Sequence, residues 1–236
     1  MKAKSFILTF ALFGTMVLST MAQPVSPSGP PNPITNTIAY PPGWSLIANP
    51  LSHSRGDFAS NAVPDNTVGE LFSDAPDGLV LLKFDNTTQR FVHRNVFRHG
   101  KWSDPTETLM PGEGAWLFNP LRSPLQIEFT GNWPNGSVTI PSGKSLISCP
   151  GPGTIDFNPP QTSGSIPPAQ NGTLFNPQEG DVVYTFAGRR GALEQHRFRN
   201  GAWDTAPTVS VGESCFVFTS HPRAIYSGPL PLLPQS

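Results

Sequence analysis

The feature that most restricts the fold of this chain is a passage written twice. Ser45-Leu46-Ile47 returns as Ser145-Leu146-Ile147, Asp57-Phe58 as Asp156-Phe157 and Leu71-Phe72 as Leu174-Phe175. Further on, Phe97-Arg98 returns as Phe198-Arg199, Trp102 as Trp203, Gly112-Glu113 as Gly212-Glu213 and Gly131 as Gly228. Order is kept and the spacing stays at about 100 residues, so the chain reads as two copies of one unit. Any fold assigned to one copy must be buildable from the other.

Within each copy, apolar residues alternate or form short runs, and no long window carries a helical stripe. Leu79 to Phe84 and Val182 to Phe186 read as strands, each leading through a polar turn into a second extended segment, Arg90 to Arg98 or Leu193 to Arg199. His99-Gly100 and Asn200-Gly201 then close tight hairpins before Trp102 and Trp203, and Asn-Gly suits the left-handed geometry such turns need. The 22 glycines and 28 prolines among 236 residues fit many turns, while five Trp and sixteen Phe supply area for a core. The expected class is all-β, with two tandem homologous repeats, each a small sandwich-like or barrel-like unit. Pseudo-two-fold packing is open to them, as are separate cores or a shared one. The divisions are a leader at 1–22, a Pro-rich linker at 23–38, repeats at 39–133 and 134–230, and a tail at 231–236.

The Gly-Glu device has a steric explanation. In LMPGEGAWLFNP, Pro111-Gly112 suits the central positions of a type II turn, where glycine supplies a positive φ. In VSVGESCFVFTS the proline becomes Val211 but Gly212 stays, as expected if only the glycine position excludes side chains. Trp116 and Phe118 then share one face of a strand and Ala115 and Leu117 the other, with Phe216 and Phe218 set against Cys215 and Val217. Both faces are apolar, which places this strand in the middle of each unit's core. Gly112, Gly212, Trp102, Trp203, Trp116 and Phe216 are therefore the expected structural anchors. Cys149 and Cys215 lie in the opening and core strands of the second copy. If those strands pair they are candidates for a disulfide, and otherwise for buried thiols.

Lys2 and Lys4, an apolar run from Phe6 to Leu18 and Thr20-Met21-Ala22 have the layout of a secretory signal peptide, with cleavage expected after Ala22. The run is too short for a spanning helix, which needs roughly 20 apolar residues. A periplasmic or secreted location follows, with no membrane span in the mature chain. A formal charge of -1 that loses two lysines with the leader gives no global attraction for nucleic acid.

At Gly43-Trp44-Ser45-Leu46-Ile47-Ala48-Asn49-Pro50, Phe84, Trp102, Pro111-Gly112-Glu113-Gly114-Ala115-Trp116 and Gly131, the chain resembles a group of exported bacterial proteins with a GWNLI…PGEGFW-type β repeat. The resemblance covers about 40–130 and, more loosely, about 140–228, and the second copy lacks the Gly-Trp opening and the Pro-Gly-Glu-Gly run. It implies export and a β-rich unit, and it carries over no catalytic residue.

Catalytic constellations are absent: there is no HExxH, CxxC or nucleophile elbow. Ser142-Gly143-Lys144-Ser145 matches the end of a phosphate-binding loop, but Val138 stands where its first glycine belongs. His53, His93, His99, His196 and His221 do not recur between copies and read as surface residues, so neither a metal nor another cofactor is implied. Glu113 and Glu213 are the candidate carboxylates for a glycan-acting hydrolase, set against a turn role in which each accepts backbone N–H groups. Long loops at 52–70 and 151–172 have room for function, and the first contains the adhesion-like triplet Arg55-Gly56-Asp57. Lys83, Arg90, Arg94, Arg98 and Lys101, with Arg189, Arg190, Arg197 and Arg199, make two basic hairpins. Of these, Arg94, Arg98, Arg197 and Arg199 are candidate contacts to an anionic polysaccharide, against the reading of a solvated face neutralised by Asp85, Asp104, Glu107, Glu194 and Asp204. The expected function is a secreted, non-catalytic binding or structural module engaging polysaccharide or another cell-surface component. The alternative is the two-carboxylate hydrolase.

Overall fold

The computed structural model describes residues 33–53, 65–134, 136–158, 173–187 and 191–227. The leader, most of the linker, the Arg55-Gly56-Asp57 triplet, Phe58, Arg189, Arg190, Gly228 and the tail lie outside them. The first half contains β1 (Ile34–Tyr40), β2 (Gly43–Ile47), β3 (Ser52–His53), the one-turn helix α1 (Val68–Leu71), β4 (Val80–Asp85), β5 (Arg90–Phe91), β6 (Asn95–Arg98), β7 (Lys101–Trp102), β8 (Ala115–Asn119) and β9 (Leu125–Asn132). The second contains β10 (Gly136–Ile140), β11 (Gly143–Ser148), β12 (Ile155–Asp156), β13 (Thr173–Leu174), β14 (Val182–Ala187), β15 (Ala192–Arg199), β16 (Ala202–Trp203), β17 (Ser214–Thr219) and β18 (Arg223–Ser227). The protein is all-β apart from α1, and no helix among the described residues is long and apolar enough to cross a membrane.

Strand order recurs in the two halves. One sheet runs β2-β8-β4-β6-β7, with β5 also on β4, and its counterpart runs β11-β17-β14-β15-β16. Registers recur as well: Gly43 faces Asn119 as Gly143 faces Thr219, and Leu82 faces Trp116 as Tyr184 faces Phe216. The local chemistry explains why. His99 and Gly100 have φ of 52° and 76°, and Asn200 and Gly201 have 54° and 77°, so both hairpins close through left-handed pairs. Trp102 donates its indole N–H to the Phe72 carbonyl and Trp203 to the Phe157 carbonyl, each packing edge-on to the phenylalanine it bonds, but Phe157 is the sequence counterpart of Phe58 and not of Phe72, so the two tryptophans are anchored to different loops.

The first unit starts before the composition suggests. β1 (Ile34–Tyr40) takes in residues 34–38 of the stretch assigned as linker; its side chains alternate inward and outward and it pairs with β9. In the second half, β10 pairs with β18 in the corresponding way.

Each half has its own core. Ile47, Leu81, Ala115, Leu117 and Phe129 belong to one cluster; Ile147, Val183, Cys215, Val217 and Ile225 belong to the other. A third cluster of Leu46, Phe84, Leu146 and Phe216 joins them, with Trp116, Tyr184 and Phe186 packed around it. This corrects the expectation for the aromatic strands: β8 and β17 lie between their own core and the seam. Phe216 is buried there, at roughly 2–3 kcal/mol for a full ring, whereas Trp116 is only partly covered.

Backbone groups stitch the seam reciprocally. Ala48 N–H donates to the Gly212 carbonyl at 2.9 Å, and Ser148 N–H donates to the Gly112 carbonyl at 3.0 Å. Gly112 and Gly212 have φ of 92° and 81°. A methyl group on Gly112 would lie 2.3 Å from Val138 Cγ2 of the opposite half, and one on Gly212 would lie 2.0 Å from Ile38 Cδ1. The Gly-Glu device thus closes a turn and also lets each half approach the leading strand of the other.

The condition for a disulfide is met, since β11 and β17 pair, but the register sets Ile147 opposite Cys215 and leaves Cys149 beyond the end of β11. Both cysteines are thiols in buried surroundings. Cys149 donates to the Gly151 carbonyl at 3.3 Å, and burial, followed by the charge of Glu213, pushes the Cys215 thiol pKa well up.

Candidate functional site

Alternation along β8 and β2 creates an aromatic shelf at the seam. With Ala115 and Leu117 turned into the core, Trp116 and Phe118 project from the opposite face, and register places Trp44 directly across from Phe118. The Trp44 ring lies 5.2 Å from Phe118 and 6.2 Å from Trp116, and Phe186 from the second half stands edge-on to Trp116 at 5.0 Å. Trp44, Trp116 and Phe186, with Pro42, Leu82, Phe91 and Gly191, line an open groove of about 480 Å³. Trp44 is 40% exposed and Phe91 45%. So much aromatic surface left in water within one groove is uncommon unless something covers it.

The second half builds the equivalent place differently. Lys144 stands where Trp44 does, opposite Phe218, and its ammonium lies 4.4 Å from the centre of the Phe216 ring and within 6 Å of Phe84, Phe91 and Phe218. Asn86 exchanges two hydrogen bonds with the Leu146 backbone, and Gln89 bonds to the Ser142 carbonyl and the Lys144 N–H. Lys144 is therefore a cation held among aromatic rings, and the resemblance to a phosphate-binding loop has no structural counterpart.

Basic residues beside the groove occupy corresponding strands. Leu193, Gln195 and Arg197 face Phe186, Tyr184 and Val182 on β14, so the row continues from the groove wall to Arg197 and Arg199. Arg197 bonds to Gln195, and Gln195 bonds to the Tyr184 hydroxyl. Arg98 ends β6 of the other sheet, Arg94 lies in the connection just before that strand, and all four arginines are exposed. The acids expected to neutralise them are mostly engaged as turn caps. Asp85 is held low by the Thr88 hydroxyl and then the Thr87 N–H; Asp104 by the Thr106 hydroxyl and then by backbone N–H groups; Asp204 by the Arg197 N–H and then the Thr205 N–H. Lys83 is the exception among the basic residues, because it pairs with Glu113 at 2.8 Å.

The candidate carboxylates do the same local work. Glu113 accepts the Met110 N–H at 2.8 Å and Glu213 the Ser210 N–H at 3.0 Å, while their own N–H groups donate back to the carbonyls of Met110 and Ser210. This is the turn role, and no feature of the geometry favours acid-base chemistry over it.

Histidine requires two corrections. His53 is half-buried, and both of its ring nitrogens are shielded from solvent. His196 is not at the surface; it is buried in β15, with Nε2 2.9 Å from the Thr185 hydroxyl and Nδ1 2.9 Å from the Thr205 carbonyl. Its counterpart Asn95 is also buried and bonds to the Asp104 carbonyl. No cluster of three or more metal-ligating side chains occurs among the described residues.

The class defined by this architecture is an all-β protein of two like-ordered halves with an aromatic groove between them. No family model, curated protein or solved structure matches the chain.

Sequence reasoning missed the groove. Trp44, Phe91 and Phe186 lie in three separate segments, and only the pairing of β2 with β8 and the meeting of the halves bring them together.

Proposed function

We propose that the protein is an exported, non-catalytic binding module that takes a polysaccharide along the seam. The observation that carries this reading is the groove formed by Trp44, Trp116, Phe91 and Phe186. Sugar rings present apolar C–H faces, and flat aromatic side chains cover such faces without demanding hydrogen bonds from the groove floor. The row from Leu193 through Gln195 to Arg197 and Arg199 supplies donors at one end, which suits a chain carrying carboxylate or sulfate groups. A basic leader and the resemblance to exported repeat proteins support placement outside the cytoplasm, where such polymers occur.

Affinity electrophoresis of the full mature chain in gels containing neutral or anionic polysaccharides tests the proposal. Retention should fall by about tenfold or more, equivalent to ~1.4 kcal/mol, in Trp44→Ala. Arg197→Ala with Arg199→Ala should lower retention only on the anionic polymers and make it less sensitive to salt. An absence of retention across both classes of polymer would remove this reading.

A further inference from the structure

The two halves hold equivalent carboxylates in different company. In the first, Glu113 Oε2 lies 2.8 Å from Lys83 Nζ, and the same ammonium donates to the Thr108 carbonyl at 2.7 Å. The second half keeps the glutamate as Glu213 and the threonine as Thr208. Register puts Thr185 where Lys83 would be, since Leu82 faces Trp116 as Tyr184 faces Phe216. Thr185 bonds to His196, and among the described residues no cation pairs with Glu213 or Glu194.

The place of the missing ammonium is a cavity. It measures about 350 Å³, and Thr185, Phe186, Glu194, Thr208, Glu213 and Ser214 are among its walls. With Glu213 and Thr208 kept and the lysine gone, the wall offers acceptors for a cationic group that no described residue supplies. The first half gives the bonding pattern such a group would follow: a positive nitrogen between a turn glutamate and a threonine carbonyl. The volume suits a sugar ring or a short alkyl chain.

We infer that this pocket binds the primary ammonium group of a small ligand, in the place that Lys83 fills in the first half. Glu213 is the counter-ion and Glu194 a second negative charge at the wall. Phe186 borders both this pocket and the aromatic groove, so an amino sugar within a longer glycan has a route to both. The inference does not depend on the groove being a glycan site.

Titration of the full mature chain with glucosamine, N-acetylglucosamine and n-butylamine, followed by NMR shifts, tests it. The amides of Glu213 and Ser214 report the pocket, and the indole signals of Trp44 and Trp116 report the groove, so either reading can fail alone. Glucosamine should bind at least about tenfold tighter than its neutral N-acetyl analogue. Butylamine binding at the same amides identifies the ammonium itself as the ligand group, whereas binding of glucosamine alone identifies an amino sugar. Glu213→Gln retains an oxygen for the Ser210 N–H and should weaken amine binding by about tenfold or more. Thr185→Lys should abolish it by supplying the ammonium from within the chain, and Glu113→Gln should leave it unchanged. Equal binding of the neutral analogue, unchanged binding in Glu213→Gln, or no shift with either amine would overturn the inference.

Discussion

The halves share strand order and register but solve the same packing problem with opposite chemistry. In the first, the apolar pair Leu79 and Leu125 lies beside Phe72 and Ile127. In the second, the corresponding positions are Asp181 and Arg223, paired by two contacts with side-chain exposures of 0% and 8%. Arg223 also donates to the Asn176 carbonyl and lies over the Phe175 ring, and Asp181 accepts the Gln178 N–H. Backbone bonding around the two sites is the same: Gly78 and Gly180 donate to Phe97 and Phe198, which donate back to Leu79 and Asp181. The comparison teaches that strand pairing and turns define the unit, whereas side chains at fixed addresses are free to change kind when their neighbours change with them.

Breaking the ion pair from one side is the most severe test of that view. Asp181→Ala should cost about 3–5 kcal/mol, because Arg223 is left buried without its partner, while Asp181→Leu with Arg223→Leu should be neutral or stabilising. Urea unfolding midpoints measure both. A double variant as unstable as the single one would show that the two corners are not interchangeable.

Next in size are the turn glycines. Gly112→Ala and Gly212→Ala both force a side chain into left-handed backbone, at about 1–2 kcal/mol. Gly112→Ala should cost more by about 1 kcal/mol, because Val138 is branched at Cβ and stiff, whereas Ile38 meets the new methyl with the end of a longer side chain. Thermal unfolding of the pair reads the difference, and equal losses would mean that Val138 yields as readily as Ile38.

Replacing the caged cation is expected to do less. Lys144→Met keeps the length but removes the charge from the phenylalanine rings, and about 1 kcal/mol should be lost. In the first half, Trp44 already packs by ring contact alone, so Lys144→Trp sharpens the comparison by asking whether the second seam accepts the first half's solution.

The smallest expected difference is between the equivalent aspartates of the two halves. The carboxyls of Asp104 and Asp204 are held below the usual range, so their contribution is present above the unfolded value of about 3.9 and is lost as pH falls through the lower folded value. Asp104→Asn and Asp204→Asn should each flatten the acid limb of stability by a similar amount. Glu107 has the opposite sign: burial raises its pKa, so its cost to stability appears as pH rises through the unfolded value.

Elements resting on nearest-neighbour chemistry were legible in the sequence. The His-Gly and Asn-Gly hairpins and the glycine of each Gly-Glu turn follow from residues a few places apart. Residues whose surroundings come from distant segments were not. Asp181 and Arg223 are separated by forty-two residues, and nothing in either segment announces a buried ion. His196 reads as exposed in a strand of charged residues until the loop at Thr205 folds over it. Trp44 belongs to a motif that the second copy lacks, and its 40% exposure is set by strands distant in sequence. β1 was hidden by the prolines around it, although Ile34, Ile38 and Tyr40 already alternate.

The reciprocal stitching at Ala48 and Ser148 has a consequence for the order of folding. While only the first half has been synthesised, the Gly112 carbonyl and the donor at Ala48 have no mates, and the end of β2 is an open template for any neighbouring strand. Arrival of the second half closes both at once, so an interrupted chain is more exposed to pairing with its siblings than a finished one.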